Sequence, residues 1–281
     1  MRRADPNLKM HPVHPVQPSN PGSGSGAPAI LVEGLEKLYR ETVAVRGLSF
    51  RVEPGEILGL VGPNGAGKTT TLRMVAGILP SAAGRVSIAG RSLAEDPIGA
   101  KRLLAYVPDD PHLFENLTVE EHIRFMARVY GVADWKARGE ALLGTFDLLE
   151  KRDAFGSELS RGMRQKLASA CALLHEPKVL LLDEPMTGLD PRGIRSMNRA
   201  ILQTAAGGAA VVISSHLLAL VERLCSRILV LHHGQALLEG RLEEIRGRFP
   251  ELSGDASLEE VFFRATESTV AGGAPEAGGH P

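Results

Sequence analysis

A glycine-rich segment near residue 62 constrains the fold of this chain more than any other feature. Residues Gly62-Pro-Asn-Gly-Ala-Gly-Lys-Thr-Thr70 match the pattern G-x-x-x-x-G-K-[S/T], directly after the aliphatic run Ile57–Val61 and before a predicted helix, Thr69–Ala76. Glycines let the backbone curl so that its N–H groups converge on an anion, and the helix start adds the positive end of its dipole. The lysine charge and the threonine hydroxyl complete a site for terminal phosphates and Mg²⁺. The segment therefore predicts a strand–loop–helix unit that binds a nucleoside triphosphate, a unit that kinases, GTPases and motor ATPases all share.

Further aliphatic runs indicate the type of sheet. They lie at Val179–Leu182, Val211–Ile213 and Ile228–Leu231, each bounded by turn residues. Continuous aliphatic runs suit strands that are covered on both faces, and helical stretches between them predict a parallel sheet of the α/β class.

A helical subdomain is predicted between strands of this core, over about residues 98–165. Within it Val119, Ile123, Met126 and Tyr130 fall on one face of a helix, and Trp135 to Leu149 form a second helical stretch.

Two acidic residues follow the aliphatic run in Leu180-Leu-Leu-Asp-Glu-Pro185. Side chains at the carboxyl end of such a strand reach the ligand crevice of an α/β sheet. Asp183 is placed to hold Mg²⁺ directly or through water, and Glu184 to orient or deprotonate an attacking water. Either carboxylate alone could be a solvated strand end, but the pair downstream of a phosphate-binding loop predicts hydrolysis.

Three later segments give the sequence a resemblance to the ATP-binding cassette family. Leu159-Ser-Arg-Gly-Met163, before a predicted helix Arg164–Leu174, is similar to the family signature Leu-Ser-Gly-Gly-Gln. Gly188-Leu-Asp190 matches the loop that crosses the dimer interface of the family. Ser214-Ser-His216 matches the segment that carries the switch histidine near the γ-phosphate. This chain departs from the signature at Arg161 and Met163, and it keeps the serine and the second glycine as Ser160 and Gly162.

The resemblance covers residues from about 30 to 240 and implies both a fold and an arrangement. The implied fold is a P-loop α/β core with a mainly parallel sheet, a helical subdomain and a small antiparallel β subdomain. ATP would lie between two chains, this one and a second copy or a paralogue. Ser160 and Gly162 would meet the γ-phosphate held by the opposite chain, although Ser160 could serve simply as a helix N-cap.

The site residues implied by motif and resemblance fall into three sets. Lys68, Glu184 and His216 are predicted to take part in catalysis, and Thr69, Asp183 and Asp109 to hold Mg²⁺. Tyr39 matches the aromatic residue that stacks on adenine. The predicted nucleotide-binding residues are Tyr39, Gly62, Pro63, Asn64, Gly65, Ala66, Gly67, Lys68, Thr69, Thr70, Ser160, Gly162 and Asp190.

Asp109 is a second departure from the family pattern. The family usually has glutamine at this place, after the strand that opens the helical part, whereas this chain has Tyr106-Val-Pro-Asp109. A carboxylate there is either a ligand of Mg²⁺ or water, or a turn residue between Pro108 and Pro111.

Three functions compete on these motifs: the ATPase subunit of a transporter, a soluble cassette ATPase of DNA repair or translation, and a nucleotide kinase. A kinase needs neither the signature-like segment nor Ser-Ser-His. Lys68 and Ser160 are too close in sequence for a long coiled-coil insertion, Cys171 and Cys225 lack zinc-ligand spacing, and the chain carries one cassette. With 32 basic and 33 acidic side chains, there is no electrostatic reason to expect nucleic acid as a partner.

A membrane role would have to run through a partner, because no stretch approaches the ~20 apolar residues of a membrane helix. The expected partner is a transmembrane permease subunit, and the expected location is the cytoplasmic face of the cell membrane. The segment from Ser257 to Arg264 resembles the tail of drug- and lipid-type exporters, which favours export, although a small amphipathic helix is the alternative. Residues 1–28, rich in Pro, Gly and Ser, are predicted to be a flexible tail. Residues 29–248 are predicted to form the ATP-binding domain, and 249–281 a C-terminal extension with a short helix that frays from Thr266.

Overall fold

The computed structural model describes residues 27–40, 42–249 and 256–271. Apart from its last two positions, the predicted flexible tail over residues 1–28 lies outside these ranges. Within them, no helix has both the length and the apolar character to cross a bilayer. The strands are β1 (Ile30–Tyr39), β2 (Thr42–Val52), β3 (Ile57–Val61), β4 (Ala83–Ile88), β5 (Arg91–Ser92), β6 (Leu104–Val107), β7 (Val179–Asp183), β8 (Ala210–Ser215), β9 (Arg227–His232) and β10 (Gln235–Gly240). The helices are α1 (Lys68–Val75), α2 (Pro97–Arg102), α3 (Val119–Tyr130), α4 (Trp135–Thr145), α5 (Arg161–Leu173), α6 (Pro191–Ala206), α7 (Leu218–Leu224), α8 (Leu242–Arg246) and α9 (Leu258–Ala271).

Six strands form the core sheet in the order β10-β9-β3-β8-β7-β6. All neighbours are parallel except β9 and β10, which pair antiparallel at one edge. The four aliphatic runs of the sequence are its strands β3, β7, β8 and β9, so the predicted α/β fold is confirmed. Because the parallel strands share one direction, the loops after β3, β7 and β8 meet at a single edge of the sheet.

The core sheet is buried on both faces because its strands alternate their side chains between two apolar clusters. Along β7, Leu181 packs in the cluster that contains Leu72 of α1, whereas Leu180 and Leu182 pack in the cluster that contains Leu167 of α5. This two-sided burial explains why the strands are continuous aliphatic runs and do not alternate with polar residues.

The smaller sheet is antiparallel, in the order β2-β1-β4-β5, as expected. It joins the core beside the glycine-rich loop, where the Arg46 N–H donates to the Gly234 carbonyl at 2.9 Å. The turn between β9 and β10 therefore links both sheets next to the loop.

The helical part begins later than the sequence predicts. Residues 98–165 were expected to form it, but Leu104–Val107 make up β6, which pairs with β7 in the core sheet. The family pattern around Asp109 implied a strand just before Pro108, but the predicted bounds of the helical part nevertheless enclosed it. The helical part consists of α3 and α4, which pack with α5 over the core; Val119 and Ile123 of the predicted face are buried there.

Three helix ends differ from the predicted positions for local reasons. Helix α5 begins at Arg161, not Arg164, because the Ser160 hydroxyl accepts the Met163 N–H at 3.3 Å and caps it. Helix α4 ends at Thr145, before Asp147, whose φ of +56° cannot continue a helix. Helix α1 begins one residue early, at Lys68, after Gly67 in the left-handed conformation.

The C-terminal helices pack on the outer edge of the core sheet. Ile245 of α8 and Leu258 and Val261 of α9 share an apolar cluster with Val221 of α7 and Ile228 of β9. Helix α9 continues to Ala271, beyond Thr266 where the sequence predicts fraying.

Candidate active site

The loop between β3 and α1 depends on two glycines at which a side chain has no space. A Cβ at Gly62 would lie 2.3 Å from the Leu231 carbonyl oxygen, and one at Gly67 would lie 2.5 Å from that of Ala44. Gly67 also has a φ of +102°, which only glycine adopts readily. The loop backbone is therefore pressed against both sheets, while Pro63, Asn64 and Gly65 remain exposed at its tip.

Lys68 is buried at the base of this loop, with 7% of its surface exposed. Its Nζ donates to the carbonyl oxygens of Gly62, at 2.7 Å, and Pro63, at 3.1 Å. Burial lowers the pKa of Lys68, against the opposing charges of Glu184 and Asp183. The ammonium group is thus placed between the loop and the two carboxylates that follow β7.

Asp183 is almost fully buried and accepts three side-chain hydrogen bonds. Oδ1 accepts from Thr69 Oγ1 at 3.2 Å and from Ser214 Oγ at 2.5 Å, and Oδ2 accepts from the Tyr106 hydroxyl at 3.3 Å. The hydroxyl of Thr69 and the carboxylate of Asp183 are hard oxygen donors at adjacent positions, which is the donor set that Mg²⁺ prefers. These residues fit a magnesium site at the edge of the sheet.

Glu184 is held in a strained backbone conformation with a φ of +49°. Its N–H donates to the backbone oxygen of Ser214 at 3.1 Å and to the Ser214 hydroxyl at 3.2 Å. Its Oε2 accepts from His216 through Nδ1, at 2.8 Å, and through the backbone N–H, at 3.4 Å. The bend turns Glu184 away from the line of β7 and brings it to the loop that follows β8.

The signature-like segment and the loop after Glu184 are in close contact within the chain. A Cβ at Gly162 would lie 2.6 Å from the Gly188 carbonyl oxygen, so only glycine allows this approach. Ser160 caps α5, and Asp190 caps α6 by accepting the Gly193 N–H at 2.8 Å. The cap roles of Ser160 and Asp190 are thus present, and their predicted contacts with a nucleotide stay predictions.

Two predicted site residues have other neighbours in the structure. Asp109 forms an ion pair with Arg161 of the signature-like segment, 3.1 Å from Oδ1 to Nη2. Tyr39 is 45% exposed, and Lys37 Nζ lies 5.3 Å from its ring centroid. The roles of Asp109 in metal binding and of Tyr39 in adenine stacking remain predictions.

Three residues with contacts at the site were absent from the sequence-based set. Ser214 lies opposite Asp183 in the register of β7 and β8. It could have been predicted from the sequence as a polar residue near the end of an apolar strand. Burial and the charge of Asp183 raise the pKa of Tyr106 to about 12. A hydrogen bond to Tyr106 raises the pKa of Arg73 on α1. Tyr106 and Arg73 had no such signal, because their meeting depends on how α1 packs beside β6.

An apolar cleft of about 230 Å³ opens beside the segment 108–111, between the core sheet and the helical part. Tyr106, whose hydroxyl contacts Asp183, forms part of its wall. Aromatic and aliphatic groups dominate the rest of the lining, including Pro108, Pro111, Phe114, Phe125 and Met126.

Comparisons with known proteins agree with this geometry. A family model described as ABC transporter matches residues 45–187. The ABC-type transporter ATP-binding protein EcsA of Bacillus subtilis is 36% identical over 240 residues, covering 85% of this chain and 96% of that protein. The Nod factor export ATP-binding protein I of Ralstonia nicotianae is 38% identical over 231 residues, covering 82% of this chain and 72% of that protein. A solved structure of the ATP-binding subunit of an ABC transporter superposes with a TM-score of 0.81 at 36% identity, covering 85% of this chain and 99% of that one.

Proposed function

The chain belongs to the ABC transporter family as an ATP-binding, ATP-hydrolysing subunit, and we propose that its hydrolysis of ATP drives a separate transmembrane protein, in the direction of export. The subunit would act at the cytoplasmic face of the membrane. The sequence-based alternatives of a DNA-repair ATPase or a translation ATPase have no support among the relatives described above.

One observation carries the proposal. Tyr106 belongs both to the wall of the apolar cleft and to the contacts of Asp183. A protein segment seated in the cleft would therefore touch a side chain that is bonded to the predicted metal-binding carboxylate. Phe125, 42% exposed, and Phe114, 54% exposed, present apolar surface at this cleft, as a docking site requires.

The chemistry assigned to the site follows from its contacts. Lys68 and the N–H groups of the loop would bind the terminal phosphates of ATP. Thr69 and Asp183 would hold Mg²⁺, which neutralises phosphate charge when bound. Glu184 would orient or deprotonate the attacking water, and the hydrogen bond from His216 would hold its carboxylate in place.

Two chains would complete the site. Ser160 and Gly162 stand at the start of α5, whose free N–H groups suit an anion held by the opposite chain. A two-fold arrangement uses the same patch twice, and closure on ATP would move the two clefts together.

Export is favoured by two features. Helix α9 is formed by the segment that resembles exporter tails, and relatives of the chain include Nod factor export ATP-binding proteins. The transported substrate would be selected by the membrane partner.

The test is recovery of the partner from detergent-solubilised membranes. Wild-type chain should co-purify with an integral membrane protein, and ATP turnover should change when the two are reconstituted. Phe125→Asp places a charge in the cleft and should abolish recovery, while the isolated chain keeps its ATP turnover. Leu202→Asp, a matched change at an exposed position of α6, should recover the partner normally. Recovery of ribosomes or DNA in place of a membrane protein would contradict the proposal.

A further inference from the structure

The helix that follows His216 is tightly seated on the strand that leads to the phosphate-binding loop. Helix α7 begins at Leu218, and both Val221 on its inner side and Cys225 directly after its end contact β3. A Cβ at Gly59 would lie 2.3 Å from Val221 Cγ1 and 3.0 Å from Cys225 Sγ. The position of α7 therefore leaves no space between the helix and β3.

His216 itself has little packing of its own. Its side chain is 55% exposed, and the next residue, Leu217, is 42% exposed. Apart from the hydrogen bonds to Glu184, the position of His216 depends on the chain to either side, which is β8 on one side and α7 on the other. Whatever holds α7 thus also holds His216.

One carboxylate on α7 connects it to both C-terminal helices. Glu222 Oε1 accepts from Arg246 Nη2 of α8 at 2.6 Å, and Oε2 accepts from the Leu258 N–H at the start of α9 at 3.4 Å. Arg246 Nε also donates to the Ala256 carbonyl at 2.5 Å. The side chains of Glu222 and Arg246 are 26% and 23% exposed, so water screens this pair less than a surface pair.

We propose that Glu222 is a positioning residue for ATP hydrolysis. It anchors α7 to the C-terminal helices α8 and α9 and thereby keeps His216 against Glu184. The inference rests on the proposed role of His216, and it gives the C-terminal extension a part in the chemistry of the site.

Removal of the carboxylate tests the inference. Glu222→Ala should lower kcat for ATP roughly tenfold, the effect of losing one hydrogen bond to a charged group. KM for ATP should change by less than about twofold, because Lys68 and the loop are untouched. Glu222→Gln keeps an acceptor oxygen for Arg246 and should recover most of the activity. Glu259→Ala, an exposed change on α9, is the matched control and should behave as wild type.

A second readout reports the seating of α7 directly. Cys225 is half-buried, with its Sγ packed beside Gly59 of β3, and burial of the thiol raises its pKa to about 12. Slow alkylation is therefore expected while α7 stays seated. Mass spectrometry should show faster alkylation of Cys225 in Glu222→Ala, whereas Cys171, which α5 carries, reacts as before. Arg246→Ala should give the same two changes, and the double variant should be no worse than either single one.

A wild-type kcat in Glu222→Ala, or a loss of kcat with Cys225 alkylation unchanged, would overturn the positioning role. A rise in KM alone would do the same. His216→Ala distinguishes failure of the positioning role from failure of the proposed catalytic site. If His216→Ala loses turnover while Glu222→Ala turns over normally, the positioning role of Glu222 is wrong and the proposed role of His216 stands.

Discussion

The carboxylate of Asp109 and the guanidinium of Arg161 form an ion pair, with 3.1 Å between Oδ1 and Nη2. Both residues are departures from the family pattern, one at the usual glutamine and one at the third place of the signature. The pair joins the segment beside the apolar cleft to the start of α5. Each side chain is 47% exposed, so the pair contributes only about 0–1 kcal/mol to stability, and its importance lies in the segments that it connects.

The Mg²⁺ requirement tests the predicted metal role of Asp109. Asp109→Ala should raise the Mg²⁺ concentration for half-maximal ATP hydrolysis and reduce transport per ATP in the reconstituted complex, because a hard oxygen ligand is lost. ATP affinity should stay nearly constant, since Lys68 and the loop remain. Arg161→Gln is the matched variant: it breaks the pair but keeps the carboxylate. An equal change in Mg²⁺ dependence in both variants would assign the effect to the ion pair and not to metal binding.

The catalytic role of Glu184 predicts a loss of turnover without a loss of binding. Glu184→Gln should hydrolyse ATP roughly 10²–10⁴-fold more slowly, because an amide cannot accept the proton of the attacking water. Calorimetry should show normal ATP binding, and size-exclusion chromatography with ATP should show a trapped dimer. Glu150→Gln, at an exposed position, serves as the control. Near-normal turnover in Glu184→Gln would refute the assignment.

Action of the signature in trans predicts complementation between two inactive chains. Lys68→Ala should lose ATP affinity, and Gly162→Asp should lose hydrolysis through both charge repulsion and contact with the Gly188 carbonyl. A mixture of the two should hydrolyse ATP faster than either alone, since each mixed dimer has one intact loop facing one intact signature. If the mixture stays as inactive as its components, the two-chain site is wrong.

A buried charge network predicts a large loss of stability. Arg227 donates to Glu56 at 2.6 Å, and also to Glu239 and to the Arg51 carbonyl. Glu56 and Glu239 are 15% and 6% exposed, so Arg227→Met would remove the cation that both largely buried carboxylates share, at a cost of about 3–5 kcal/mol. Urea unfolding measures the difference, with exposed Arg223→Met as the control. A change below about 1 kcal/mol would contradict the argument.

The pH dependence of that variant has a definite sign. Burial raises the pKa of Glu239, against the charge of Arg227, so the folded state binds its proton more tightly than the unfolded state. The stability from this group is present below the unfolded pKa and is lost as pH rises through the folded pKa. Without the charge of Arg227, the pKa of Glu239 rises further. The loss of unfolding free energy in Arg227→Met should therefore be smaller at about pH 5.5 than at about pH 7.5. An equal loss at both pH values would contradict this argument.

Strands and motifs were readable from the sequence because each is local. The aliphatic runs became β3, β7, β8 and β9, and the pattern around Lys68 lies between a strand and a helix as predicted. Tyr106 was missed because its bond to Asp183 joins positions far apart in sequence, through the pairing of β6 with β7. Strand β6 itself was implied by the family pattern before Asp109, although the predicted bounds of the helical part enclosed it.

The left-handed backbone at Glu184 means that selection for stability and selection for ATP turnover favour different residues at this position. A non-glycine residue at this φ costs roughly 1–3 kcal/mol of stability, and glycine would relieve this strain. A search that rewards heat resistance alone therefore has no reason to keep Glu184, and without a turnover screen it will accept chains that no longer hydrolyse ATP. A library of this protein therefore needs a turnover screen at every round, and the frequency of glycine at position 184 measures how far that screen has been relaxed.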